Sequence, residues 1–182
     1  MAPNQRSDVR LLTTLKNNSA YICVHLRPMD LRPMFFKKHP KKFFSTEEQE
    51  RILEEIRKAE DRTSGEIRVH LDCCSPKAPL EKAKEVFSRL GMARTKARNG
   101  VLIYLATDDR KFAILGDEGI HRIVPENYWE DVKEKMQKEF RDGKICEGIC
   151  VGVREVGEKL KAHFPVEPDD RNELPDTISE EK

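Results

Sequence analysis

Acidic and amide side chains flank two predicted strands, with glycines beside them. Glu66 and Asn99 each precede an apolar stretch, and Asp117 and Glu118 stand together between two glycines. Hard cations such as Ca²⁺ take carboxylate, amide and backbone oxygens as ligands, and flanking glycines let backbone carbonyls turn inward. These four residues therefore predict a divalent-cation site, with Ca²⁺ as the cofactor. The alternative interpretation is that Glu66 and Asp117 only cap the ends of a strand and a helix.

Three further aspartates form a second candidate cluster. Asp72 follows the first predicted strand, and Asp108 and Asp109 occupy the turn between the next two strands. The same oxygen chemistry makes these residues the runner-up cation site. Aspartate is also favoured in ordinary turns, because its side chain bonds to nearby backbone groups. A hairpin turn without a ligand is therefore the alternative for Asp108 and Asp109.

Three predicted strands position these two clusters. Residues 66–72 alternate between apolar and polar side chains, which predicts a strand with one drier face. Residues 101–106 are a near-continuous apolar run, typical of a strand buried on both faces, and residues 111–115 form a shorter strand. A helix between the first two strands predicts parallel neighbours, and the tight turn before the third predicts an antiparallel return. This order places the first cluster at one end of the sheet and the second at the other.

Helical patterns surround these strands. Ser45 and Glu48 form a capping box at the start of the first helix. The segments with a helical pattern are 45–62, 79–90, 125–142 and 145–163. Strands and helices in this order predict an α/β fold, a three-layer α/β/α sandwich. We expect a small mixed sheet of three to four strands with helices on both faces.

Charge is distributed unevenly along the chain and suggests a domain division. Residues 1–44 carry nine Lys and Arg against two Asp and Glu, whereas residues 166–182 carry two against seven. The part between them is close to neutral, so charge gives no support for nucleic-acid binding. We expect a basic, disordered extension over residues 1–42, a folded domain over 43–165, and an acidic, disordered tail over 166–182.

Cysteine, histidine and hydropathy patterns narrow the class of protein. Five cysteines, an odd number, argue against a disulfide framework, and a reduced, cytoplasmic protein is the simplest interpretation. Cys146 and Cys150, one helical turn apart, fit packing residues better than metal ligands. His70 lies on a half-buried strand, where a structural role is a simpler interpretation than a catalytic base. No apolar stretch approaches the roughly 20 residues that cross a bilayer, so we expect no membrane span.

An ordered set of segments resembles the TPM domain family, which includes a thylakoid-lumen protein involved in photosystem II repair. The similar segments are 63–69, 98–104, 112–120 and the helix around Gly148 and Ile149. The resemblance covers residues 43–165 and implies a Rossmann-like α/β/α sandwich. It also implies a small calcium-binding or accessory module, with weak acid phosphatase activity attributed to a plant relative. Glu66, Asn99 and Asp117 fall on the family's shared positions, but Arg98 stands where the family often has Asp.

Two functions are consistent with these patterns. The first is a small soluble binding or accessory module, monomeric, with an unknown protein partner and a divalent cation at one end of its sheet. The alternative is a weak metal-assisted acid phosphatase, which needs an electrophilic cation plus a nucleophile or an activated water. A scaffold without any ligand is a third interpretation. The sequence has no recognisable nucleophile–base pair, which favours the binding module.

Overall fold

The computed structural model describes residues 43–166 and 177–180, and the backbone of residues 20–25. Its helices are α1 (Thr46–Glu60), α2 (Pro79–Arg89), α3 (Glu118–His121), α4 (Tyr128–Arg141) and α5 (Ile145–His163), with a short 3₁₀ turn at Met92–Arg94. Its strands are β1 (Ala20–His25), β2 (Ile67–Asp72), β3 (Val101–Ala106), β4 (Lys111–Gly116) and β5 (Ile178–Glu180).

The strands form one mixed sheet in the order β1-β4-β3-β2-β5. Strands β2 and β3 are parallel and pair over their full length, from Ile67 opposite Val101 to Asp72 opposite Ala106. Strand β4 returns antiparallel to β3, so that Gly116 lies opposite Val101. The predicted order of two parallel strands and one antiparallel return is therefore confirmed.

Two edge strands differ from the sequence-based domain division. Strand β1 pairs antiparallel with β4, and β5 pairs parallel with β2. Both come from ranges that we expected to be disordered because of their charge, and they make the sheet five-stranded rather than three- to four-stranded. An edge strand needs only one neighbour for its backbone hydrogen bonds, so a short segment suffices despite charged surroundings. The rest of residues 1–42 and 167–176 lies outside the described residues.

Helices cover both faces of the sheet, which confirms the three-layer α/β/α sandwich. Helices α1, α4 and α5 pack on one face, against the core side chains Ile67, Val69, Leu71, Val101 and Ile103. Helix α2 packs on the other face, mainly against β3 and β4, where Leu80 and Val86 belong to the same core as Leu102 and Tyr104. The apolar run in β3 is buried on both faces, as its sequence predicts.

Strand β2 departs from the pattern of one dry face and one wetter face. Ile67, Val69 and Leu71 are buried as expected, but Arg68 and His70 are buried as well. Strand β5 lies beside them and brings hydroxyl groups to both side chains. The polar face of β2 is therefore a buried polar strip.

The helix ends follow local sequence signals. Ser45 caps α1, where its side chain accepts a hydrogen bond from the Glu48 backbone and the Glu48 carboxylate accepts from the Ser45 backbone. The third long helix begins at Tyr128 rather than Pro125, because the Tyr128 N–H donates to the Pro125 carbonyl (3.0 Å) in a turn before the helix.

Trp129 in the first turn of α4 is 3% exposed. A Cβ at Gly116 would lie 2.4 Å from its ring, so glycine lets the ring cover the end of β4.

Helix α5 approaches α4 closely at Gly148. A Cβ at this position would lie 2.3 Å from the Phe140 ring and 3.0 Å from the Met136 carbonyl. Glycine at position 148 therefore permits the close approach of the two helices.

We expect Gly148→Ala to lower the free energy of unfolding by about 1–3 kcal/mol, because overpacking of a filled core costs that much. Alanine is a better helix former than glycine by about 1 kcal/mol. A loss of stability would therefore come from overpacking and not from helix propensity. Urea denaturation measures the change. Lys161→Ala, at an exposed position of the same helix, is the control and should stay within about 0.5 kcal/mol of wild type. A more stable Gly148→Ala protein would contradict the close packing.

Candidate functional site

The first predicted cluster meets at what we call the amino edge, the end of the sheet that holds Glu66, Asn99, Asp117 and Glu118. The Val101 N–H donates to the Glu66 carbonyl (2.7 Å), and the Asp117 N–H donates to the Gly100 carbonyl (2.9 Å). The loops before β2 and β3 and after β4 are therefore direct neighbours. Glu66, Asn99 and Asp117 are all buried.

Arg98 holds the Asp117 carboxylate at this edge. Its Nε donates to Asp117 Oδ2 (2.6 Å) and its Nη2 donates to Oδ1 (2.8 Å). This bidentate geometry is the strong form of an arginine–carboxylate pair. Hydrogen bonding to Asp117 raises the pKa of Arg98 further above its ordinary value. Asp117 is 1% exposed in its side chain and Arg98 is 45% exposed, so the pair is open to water only on the arginine side.

Asp117 also starts helix α3. Its Oδ1 accepts a hydrogen bond from the Glu118 N–H (2.8 Å), and the Gly119 N–H donates to the Arg98 carbonyl (2.7 Å). Arg98 itself has a φ of +52°, a conformation that non-glycine residues rarely adopt. The capping alternative from the sequence thus describes the local geometry of Asp117 well, and the Arg98 loop is tied to α3 by backbone and side-chain bonds.

The remaining members of the amino edge have different surroundings. Asn99 Nδ2 donates to the Ser64 carbonyl (3.1 Å), while Asn99 Oδ1 is buried without a hydrogen-bond partner among the described residues. Glu118 forms an ion pair with Arg122 one turn later in the chain. Two of the three predicted carboxylate ligands, Asp117 and Glu118, therefore already face arginines.

The second cluster lies at the opposite end of the sheet, which we call the carboxyl edge (Asp72, Asp108 and Asp109). The Thr107 N–H donates to the Asp72 carbonyl (2.9 Å) and the Asp108 N–H donates to the Cys73 carbonyl (2.7 Å). Asp109 Oδ2 accepts from the Ser75 N–H (2.8 Å). The three aspartates are therefore on neighbouring loops, and Asp109 ties those two loops together.

Asp72 is the buried acid of the carboxyl edge. Its Oδ2 accepts a hydrogen bond from the Tyr104 hydroxyl (2.8 Å) and lies 4.0 Å from Lys82 Nζ, and its Oδ1 lies 3.5 Å from His70 Nε2. Burial alone would raise the pKa of Asp72, but the bonds from His70 and Tyr104 and the charge of Lys82 outweigh it, so the pKa is lowered. Burial raises the pKa of Tyr104.

His70 contacts a serine that the sequence did not place near it. Its Nδ1 lies 2.8 Å from Ser179 Oγ, and the Ser179 hydroxyl donates to the Val69 carbonyl (3.4 Å). Which of the two groups donates this hydrogen bond depends on the tautomer of His70, whose other ring nitrogen lies 3.5 Å from Asp72 Oδ1. His70 is 1% exposed, and this contact joins β5 to β2.

The described cysteines lie in two environments, the buried side of helix α5 and the loop at the carboxyl edge. Cys146 and Cys150 are buried in α5, and burial raises the pKa of both, that of Cys150 to about 12. Cys73 and Cys74 are free at the carboxyl edge, with their Sγ atoms 3.6 Å apart. The hydrogen bond from Cys73 raises the pKa of Cys74. The raised pKa values of Cys74, Cys146 and Cys150 disfavour the thiolate, which is the nucleophilic form of cysteine.

Sequence reasoning missed the partners that neutralise the acids. In the sequence, Arg98 is notable only because the family often has Asp at that position. Its bond to Asp117 joins residues 19 positions apart, which local spacing does not indicate. In the ranges 43–166 and 177–180, no three His, Cys, Asp or Glu side chains converge as a metal-holding group. A cation at the amino edge would need oxygens from Asn99 and the backbone, and access to Asp117.

Comparison with known proteins agrees with this architecture. The TPM domain family model matches residues 38–159, more than half of the chain. The chain belongs to the TPM domain family. This TPM domain is also similar to the NMR structure of the BA42 protein from the psychrophilic bacterium Bizionia argentinensis, at 41% identity and a TM-score of 0.73. That similarity covers 78% of this chain and 97% of BA42.

The search of curated proteins gave no match for this TPM domain. Within the described residues, no helix has the length and apolar character needed to span a bilayer.

The lowered pKa of Asp72 predicts a pH dependence of stability. The unfolded chain binds more protons than the folded one near the ordinary pKa of aspartate, about 3.9. Asp72 therefore stabilises the fold fully above that pH, and this contribution disappears as pH falls through its lower folded pKa.

We expect Asp72→Asn to lower the free energy of unfolding at pH 7 by about 1–3 kcal/mol, as for hydrogen bonds to a charged group. The difference from wild type should shrink below about pH 4. Urea denaturation across pH 2.5–7 measures both. Glu50→Gln, at an exposed position of α1, is the control. A constant difference at all pH values would show that the carboxylate charge of Asp72 is unimportant.

Proposed function

We propose that this TPM domain is a non-enzymatic binding module whose amino edge takes a divalent cation only in competition with Arg98. The observation that carries the proposal is the bidentate contact of Arg98 with both oxygens of Asp117, at 2.6 and 2.8 Å. The guanidinium supplies a positive charge where Ca²⁺ would otherwise neutralise the carboxylate. The buried, unpartnered Oδ1 of Asn99 supports a role for this edge in holding a cation once Arg98 moves away.

The competition sets the expected strength of cation binding. Hydrogen bonds to a charged group contribute about 1.5–3 kcal/mol, and a cation that displaces Arg98 must give them up. Each 1.4 kcal/mol corresponds to a tenfold change in affinity, so the arginine weakens Ca²⁺ binding by about ten- to a hundredfold. Arg98 is half exposed in its side chain, so it can swing into water without rebuilding the core.

The chemistry of the described nucleophile candidates supports binding rather than phosphatase catalysis. A metal-assisted phosphatase needs a nucleophile or an activated water beside the cation. At the carboxyl edge, the Tyr104 hydroxyl donates to Asp72 and its pKa is raised by burial. The Ser179 hydroxyl has the Val69 carbonyl as an acceptor at 3.4 Å and belongs to the strand pairing between β5 and β2. At the amino edge, arginines lie against the carboxylates of Asp117 and Glu118.

Calorimetric titration of the full chain with Ca²⁺ tests the competition. We expect Arg98→Ala to bind Ca²⁺ about ten- to a hundredfold more tightly than wild type, and Asp117→Ala to show no binding heat at millimolar Ca²⁺. Arg94→Ala is the matched control, because it removes the same charge from an exposed position of the same loop. Equal Ca²⁺ affinities for wild type and Arg98→Ala, or no binding heat in any variant, would contradict the proposal that Arg98 and Ca²⁺ compete for Asp117.

Hydrolysis of p-nitrophenyl phosphate, with and without Ca²⁺, tests the non-enzymatic part of the proposal. We expect no turnover above the buffer rate. Turnover that persists through purification and disappears in Asp117→Ala or Ser179→Ala would replace the binding module with the phosphatase. The Gly148→Ala protein, whose substitution lies in the packing between α4 and α5 and leaves Asp117 and Ser179 unchanged, separates loss of activity from loss of stability.

A further inference from the structure

Strand β5 occupies the outer edge of β2 with a small contact. Three pairs join them, Val69 with Ile178, His70 with Ser179, and Leu71 with Glu180. The ladder between β2 and β3 has twice as many pairs. Without β5, this side of β2 would present unpaired N–H and C=O groups, which template the addition of another strand.

Side chains of β2 contact specific residues of the segment that pairs with this edge. Arg68 Nη2 donates to Thr177 Oγ1 (3.0 Å), and His70 Nδ1 lies 2.8 Å from Ser179 Oγ. Both polar side chains belong to the buried strip of β2. Ile178, between the two hydroxyl residues, packs against the core under α1, α4 and α5. Alternate residues of a strand point to opposite faces, so the edge accepts a hydroxyl, an aliphatic and a hydroxyl residue in succession.

The segment on the edge is weakly enclosed. Thr177 is exposed, and Ile178, Ser179 and Glu180 are only half-buried. Every residue of β2 and β3, in contrast, is buried. Two strands alone are marginal in water, so a three-residue strand held at one side is replaceable by a segment of the same chemistry.

We propose that the outer edge of β2 is a strand-addition site for an extended partner segment with a hydroxyl residue on each side of an aliphatic residue. The chain's own residues 177–180 fill the site when that partner is absent. Main-chain hydrogen bonds supply affinity in this mode of recognition, and the contacts of alternate side chains supply specificity. None of these contacts involves Arg98 or Asp117. The inference therefore goes beyond the cation competition, and the two can fail separately.

Competition between the tail and a free peptide tests the site in the full chain. The probe is a fluorescent peptide of residues 172–182, measured by anisotropy against wild type and against Ile178→Asp. We expect the peptide to bind Ile178→Asp at least about tenfold more tightly, because a tethered segment competes at an effective concentration of about millimolar. A charge at Ile178 releases the tail from the core but leaves Arg68 and His70 in place.

Variant peptides identify the contacts. Peptides with Thr177→Ala or Ser179→Ala should each bind Ile178→Asp about three- to tenfold more weakly, as for the loss of one hydrogen bond. A peptide with Ile178→Asp, or one of scrambled order, should not bind. Equal binding of the scrambled peptide, or no binding of the native peptide, would overturn the proposal. A wild-type dimer that excess peptide converts to monomers would assign the edge to a second copy and also overturn it.

Discussion

The parallel ladder between β2 and β3 decides which polar groups of this domain can meet. Because β3 runs alongside β2 and β4 returns, the residues before β2 and β3 share an edge with the residue after β4. The residues after β2 and β3 share the opposite edge. In open α/β sheets, ligands commonly bind outside the carboxyl ends of the parallel strands, but here a bidentate arginine–carboxylate pair lies at the amino edge.

Charge at both edges is compensated from within the chain. Asp117 faces Arg98, Glu118 faces Arg122, and Asp72 accepts from Tyr104 near Lys82. A buried carboxylate without such partners would be expensive, so each of these acids already has a structural reason to be present. Acidic residues at strand ends are therefore an ambiguous signal for a metal, and the position of the nearest guanidinium decides between the two interpretations.

Much of the fold could be predicted, because its signals are local. The capping box at Ser45, the alternation in residues 66–72 and the apolar run in 101–106 each depend on near neighbours in sequence. The meeting of Glu66, Asn99 and Asp117 also followed from strand order. The pairing of Arg98 with Asp117 did not, since the two residues are 19 positions apart in sequence. Nor did β5, since Ile178 pairs with Val69, more than 100 residues away in sequence.

Trp129 has a consequence for spectroscopy. The chain has a single tryptophan, and its ring lies over Gly116, directly before Asp117. Its emission therefore arises from one dry location beside the amino edge, without contributions from other indoles. Loosening of α4 from the sheet exposes that chromophore to water and alters the polarity around it. The protein thus contains an intrinsic optical reporter for the packing of α4 and needs no attached dye.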